Sequence, residues 1–131
     1  MIRVVPWSQD AERYIARALN AGGLADTRRE VERGISQLWE FADADGLAGY
    51  AVTRLERYAS GTEWCWVACA GRDFAKFARM LKAEAERREL PIRVHLTSKV
   101  MRHWYARLGF VETEIIMRAN GGYRSRRQEF A

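Results

Sequence analysis

The hydrophobic pattern of this chain changes period several times, and each change marks an element. After Ser8, a residue type that accepts hydrogen bonds from the open amides of a first helical turn, Ala11, Tyr14, Ile15, Ala18 and Leu19 recur at helical spacing, and Gly22-Gly23 reads as the stop. Thr27-Arg28-Arg29-Glu30 has capping-box spacing and predicts a short second helix ending near Gly34. The pattern then shortens to strand runs at 35–42 and 47–56, joined by the tight turn Asp43-Ala44-Asp45-Gly46. Past a turn at Ser60-Gly61, residues 63–70 are apolar at odd and even positions alike, which predicts a strand buried on both faces.

The helical period returns after Asp73, the expected cap of a helix over 74–89. Phe74, Phe77, Ala78, Leu81 and Ala85 make its inner stripe, and Lys76, Arg79, Lys82 and Glu86 its wet face. A strand at 91–96 follows this helical crossover, so it should run parallel to 63–70. Ser98 then caps a helix in which Met101, Trp104, Tyr105 and Leu108 share one face and Gly109 ends it. Strands at 110–119 and 123–130, around the hairpin turn Asn120-Gly121, complete the order α-α-β-β-β-α-β-α-β-β. That order predicts one α+β (α/β) domain over residues 1–131, with four helices on a mixed sheet of about six to seven strands.

Composition narrows the classes. A chain of 131 residues, 48% apolar and 30% charged, suffices for one cored domain, and no apolar run is long enough for a membrane span. Residues 1–90 carry 14 basic and 14 acidic side chains, so the net charge of +5 lies wholly in 91–131. Arg118, Arg124, Arg126 and Arg127 are its densest group; they read as a solvated strand face, with an acidic surface or nucleic acid as the other reading. Cys65 and Cys69 sit four apart on the central strand, roughly 13 Å, beyond the ~7 Å of a disulfide. They are expected as unbonded, buried thiols on one face, in a reducing compartment such as a bacterial cytoplasm. No further ligands accompany them for a metal, and His95 and His103 stand isolated, as structural or surface residues.

The segment Tyr105-Ala106-Arg107-Leu108-Gly109-Phe110, at the end of a short helix before a strand, resembles the last helix-strand unit of the GNAT superfamily of N-acetyltransferases, and the element order matches that family over nearly the whole chain. The resemblance implies a splayed central strand pair that admits acetyl-CoA. It implies that Tyr105 protonates the departing thiolate, and that a Gly-rich cradle between the central strand and the long helix holds the pyrophosphate.

The cradle departs from the family pattern. Only Gly71 stands in Cys69-Ala70-Gly71-Arg72-Asp73-Phe74-Ala75-Lys76, and Asp73 would bring a carboxylate to the helix entrance. An altered acetyl-CoA site would draw on Val67, Cys69, Gly71, Arg72, Asp73, Phe74 and Lys76; Ser98 stands where many relatives carry an Asn. Glu63 is the candidate general base. Two readings stay open. One is an N-acetyltransferase acting on a small amine or a protein amine. The other rests on a diffuse similarity of residues 60–131 to small GNAT-like proteins of tailed bacteriophages, carried by Trp64-Cys65-Trp66-Val67, Thr97-Ser98 and Leu108-Gly109. It implies a virion-associated protein with a degenerate site, whose partners are other virion proteins or a second copy of itself. The missing cradle favours the second reading, and weak or absent acetyl-CoA binding is expected from it.

Overall fold

The computed structural model of the protein describes residues 1–19, 21–95 and 99–111. The chain divides into two compact units, 1–97 and 98–131. The first holds one five-stranded sheet in sequence order: β1 (Ile2–Val5), β2 (Ser36–Asp43), β3 (Gly46–Tyr58), β4 (Gly61–Gly71) and β5 (Ile92–Val94). Neighbours are antiparallel except β4 and β5, which run parallel because the helix α3 (Phe74–Arg87) carries the chain back between them. The parallel pairing expected from the helical crossover is therefore present. The expected strands at 110–119 and 123–130 lie outside the described residues, apart from the residues at 110 and 111.

Two elements differ from the sequence expectation. β1 was not expected: it is four residues long, with Val4 exposed, and it gains its place by pairing with β2, as Arg3 does with the Glu40 carboxylate. The first helix, α1 (Gln9–Ile15), is shorter than its periodicity suggested, and the second, α2 (Ala21–Glu32), starts earlier. Gly22-Gly23 falls in the first turn of α2 instead of stopping α1. Thr27 is buried mid-helix rather than capping. The packing of Leu24 and Val31 on the sheet outweighs the low helix propensity of the two glycines. Ser8 does cap α1: its hydroxyl accepts from the Ala11 amide at 3.1 Å.

The alternation of the strands sends two different sets of side chains to the two faces. Leu38, Tyr50, Val52 and Ala68 meet Ala11 and Ile15 of α1. On the opposite face Phe41 stacks on Phe77 of α3 at 4.7 Å, and Trp39 packs edge-on against Trp64 at 5.9 Å. Trp39 donates to the buried Thr53 hydroxyl, and Arg88 lies over both indoles. Phe77, Ala78, Leu81 and Ala85 are buried, as the stripe predicted, and Glu84 is held by Arg87 and Arg88. Each large apolar side chain so buried contributes about 1.5–3 kcal/mol.

Candidate functional site

The central strand loses its partner halfway along. Among the described residues β5 pairs with β4 at Trp64–Ile92, Cys65–Arg93 and Trp66–Val94, while β4 continues to Gly71. The described pairing ends at Trp66–Val94. At the same point β4 carries a bulge: Thr53 pairs with Trp66 and Val52 with Ala68, so Val67 has no counterpart in the ladder. A bulge also reverses the alternation. Cys65 lies opposite Arg54 and Cys69 opposite Ala51, three residues apart on β3 and hence on opposite faces. The expectation that both thiols share one face and are both buried fails for this reason. Cys65 is buried, Cys69 only half-buried, and no disulfide joins them. Burial pushes the Cys65 thiol above its ordinary pKa, which keeps it neutral.

The downstream end of β4 is closed by backbone and charge. Gly49 and Gly71 face each other across β3 and β4 so closely that a Cβ on Gly49 would lie 2.3 Å from the Ala70 carbonyl oxygen. Gly71, with φ +154, would bring one to 2.5 Å from that of Ala48. Gly71 is thus required by strand packing. Arg72 grips the β2–β3 turn: its guanidinium donates to both Asp43 carboxylate oxygens, at 2.6 and 3.1 Å, and to the Leu47 carbonyl at 3.2 Å. That contact holds the Asp43 carboxyl down at about 2.

Asp73 does not cap α3 with its side chain. It takes a left-handed backbone, φ 54 and ψ 39, with no side-chain capping bond, and its carboxylate sits 3.7 Å from Arg72. The expected carboxylate cap at the helix entrance is therefore absent: Asp73 has a left-handed backbone where a capping residue is ordinarily extended. Phe74 is half-buried, and Lys76 is exposed with its ammonium 5.7 Å from the Phe77 ring. Val67, Cys69, Gly71, Arg72, Asp73, Phe74 and Lys76 lie along one continuous path from the bulge to the first turn of α3.

Glu63 stands at the other end of β4, beyond the zipped strands. Its carboxylate accepts from Arg93 Nε at 2.7 Å, with both side chains about three-quarters buried. Glu56 lies directly opposite it on β3. Two carboxylates in that register repel unless each has a cation. Arg54 supplies the second, bridging Glu56 and Glu30 of α2, and Tyr58 donates to Glu56 while Arg93 stacks 4.4 Å above its ring. The Tyr58 bond and then Arg54 draw the Glu56 carboxyl below its ordinary pKa. Sequence reasoning missed this network; the alternate spacing of Arg54, Glu56 and Tyr58 on one strand face was its only trace.

In the second unit, α4 (Lys99–Arg107) carries Tyr105, buried and packed edge-on against Phe110 at 5.1 Å. Ser98 lies outside the described residues.

Solved structures share this arrangement. An aminoglycoside 6′-N-acetyltransferase from Acinetobacter haemolyticus matches with a TM-score of 0.65 at 14% identity, over 98% of this chain and 99% of its own. The fold is that of the GNAT acetyltransferases. A GCN5-related N-acetyltransferase from Ralstonia eutropha JMP134 matches at 0.63 and 13% identity, over 93% and 100% of the two chains. A predicted acetyltransferase from Clostridium acetobutylicum, solved with acetyl-CoA, matches at 0.61 and 14%, over 92% and 96%. No family model and no curated protein matches the sequence. The GNAT fold is thus reached through structure, at identities that carry architecture and not activity. Among the described residues no helix is long and apolar enough to cross a membrane.

Proposed function

We propose that this protein binds acetyl-CoA along the free edge of β4 and transfers the acetyl group to an amine. The observation that carries the reading is the parting of β4 from β5 at the residue where Val67 bulges out of the ladder. A strand edge released there offers backbone donors to a ligand that an ordinary sheet would have consumed. Acetyl-CoA would supply the activated acetyl thioester. Val67 and Cys69 would hold its acyl arm, and the first turn of α3, with Lys76, its phosphates. Asp73 makes no side-chain capping bond at that turn, and its carboxylate lies 3.7 Å from Arg72, which offsets its charge. Tyr105 is the residue to which the family resemblance assigns proton return. The amine acceptor, small molecule or protein, is the partner implied.

A second reading has one observation in its favour. Arg72 is neutralised by Asp43, and Gly71 serves the strand packing, so neither remains for a phosphate. This supports a GNAT scaffold kept for assembly, of the kind the phage resemblance implies, with virion proteins or a second copy as partner. Titration calorimetry with acetyl-CoA separates the two. The transferase reading expects a micromolar dissociation constant and a stabilisation of about 2.7 kcal/mol at a hundredfold excess over it. No heat and no thermal shift at millimolar acetyl-CoA would sink it.

A further inference from the structure

We infer that Arg93 is a positioning residue of the acetyl transfer proposed above: it fixes β5 against β4, and with it the point where their described pairing stops. The inference rests on that reading. β5 is three residues long, and parallel pairing is slightly weaker per residue than antiparallel. Its backbone hold on β4 consists, among the described residues, of the pairs Trp64–Ile92, Cys65–Arg93 and Trp66–Val94, with the Trp64 amide donating to the Pro91 carbonyl at 2.8 Å just before them. β3, on the other side of β4, pairs with it from Tyr58–Gly61 to Gly49–Gly71. A strand as short as β5 therefore draws its place from side chains as well.

Arg93, the middle residue of β5, supplies that hold. Its Nε donates to the Glu63 carboxylate on β4 at 2.7 Å, and its guanidinium lies 4.4 Å from the centre of the Tyr58 ring on β3. One side chain thus reaches from β5 over β4 to β3. Its partners are held in turn. Tyr58 donates to Glu56, Arg54 bridges Glu56 and Glu30, and Glu30 accepts from the Ser36 hydroxyl at 3.1 Å. The network runs from β5 through the sheet to α2. Arg93 and Glu63 are largely buried, where salt screens an ion pair little. The register so fixed bears on the proposed site. Cys65–Arg93 is followed by Trp66–Val94, the last described pair, and then on β4 by the bulge residue Val67. A shift of β5 would change which backbone is left open beside Val67, and so where a thioester lies relative to the amine. A misplacement of about 1 Å at a reacting centre can cost about 100-fold in rate.

With spermidine, kanamycin and a lysine peptide as amine probes, Arg93→Ala should lower kcat by about 100-fold. Acetyl-CoA should still bind that variant within about threefold of wild type, a loss in kcat and not in affinity. Arg93→Lys should recover part of the rate, because an ammonium reaches Glu63 but does not stack flat on Tyr58. Arg93→Ala also strands the Glu63 charge, so the double variant Arg93→Ala/Glu63→Gln is measured beside it and should fall as far. Ser8→Ala, which removes the α1 cap, should lower stability and leave kcat unchanged. Amide exchange reads the hold on β5 without acetyl-CoA. The Trp64 amide should exchange faster in the Arg93 variants, and the Arg72 amide, which donates to the Ala48 carbonyl, should not. Wild-type kcat in Arg93→Ala or in the double variant, or a Trp64 amide protected as in wild type, would overturn the inference and leave the transferase reading standing. Wild-type protein that binds no acetyl-CoA would overturn both.

Discussion

The two ends of β4 are built from similar residues and put them to different use. At the downstream end an arginine, an aspartate and a glycine sit where a phosphate cradle was expected, and the fold consumes them. Arg72 locks the β2–β3 turn through Asp43, and Gly71 lets two backbones touch. At the upstream end Glu63 and Arg93 pair beneath the zipped strands, and Arg54, Glu56 and Tyr58 extend the network across the sheet. Between the ends the described pairing of β4 with β5 stops, beside the bulge at Val67. A charged side chain near a cleft is thus a poor guide to chemistry until its partners are known. The bulge at Val67, where the described pairing with β5 also ends, says more.

The sharpest way to break the downstream end is Gly49→Ala. The new methyl would meet the Ala70 carbonyl oxygen at 2.3 Å, so the strands must separate, at a cost of about 3 kcal/mol. Urea unfolding measures it, and an unchanged midpoint would mean the strands can part there without strain.

Glu63→Gln tests the upstream end. Arg93 would keep a largely buried charge with a weaker partner, for a loss of about 1–2 kcal/mol. Turnover should change by no more than a few-fold, since Glu63 already serves Arg93. A hundredfold fall in kcat would restore Glu63 as the base.

A smaller effect comes with pH. Asp43 is lowered from an ordinary 3.8 to about 2 by Arg72. A depressed carboxyl adds stability that is present above its ordinary value and lost as pH falls through the folded one. Wild-type protein should therefore lose an increment of thermal stability between about pH 4 and pH 2, and Asp43→Asn should lack that increment. Parallel melting curves for the two proteins across this window would contradict the Arg72–Asp43 account.

The least effect is expected on ligand affinity. Arg72→Ala should loosen the β2–β3 turn yet leave the acetyl-CoA dissociation constant within about threefold, because the guanidinium is spent on Asp43. A tenfold weakening, ~1.4 kcal/mol, would show that Arg72 reaches the phosphates after all.

Much of the fold was legible. Ser8 capped where expected, the stripe of α3 was buried as its spacing said, and the β2–β3 turn and the parallel strand after the crossover were in place. The failures have definite causes. β1 is too short to show a period, and Gly22-Gly23 read as a stop because their packing neighbours were out of view. The sequence put Val67 to Lys76 between the central strand and the long helix, and the structure has them from β4 into the first turn of α3. Which of these side chains were already bound was not legible, because Arg72 and Asp43 meet only once the chain is folded.

The sequence by itself determined the period of the elements from α1 to α4, their succession and the Ser8 cap, because these rest on interactions a few residues long. The tertiary structure alone decided the rest. Arg72 meets Asp43 across 29 residues and Arg93 meets Glu63 across 30. The bulge at Val67 is defined only against β3, and it sends Cys65 and Cys69 to opposite faces where even spacing put them together. Register, and where pairing ends, are properties of two strands at once, so one stretch of sequence cannot hold them.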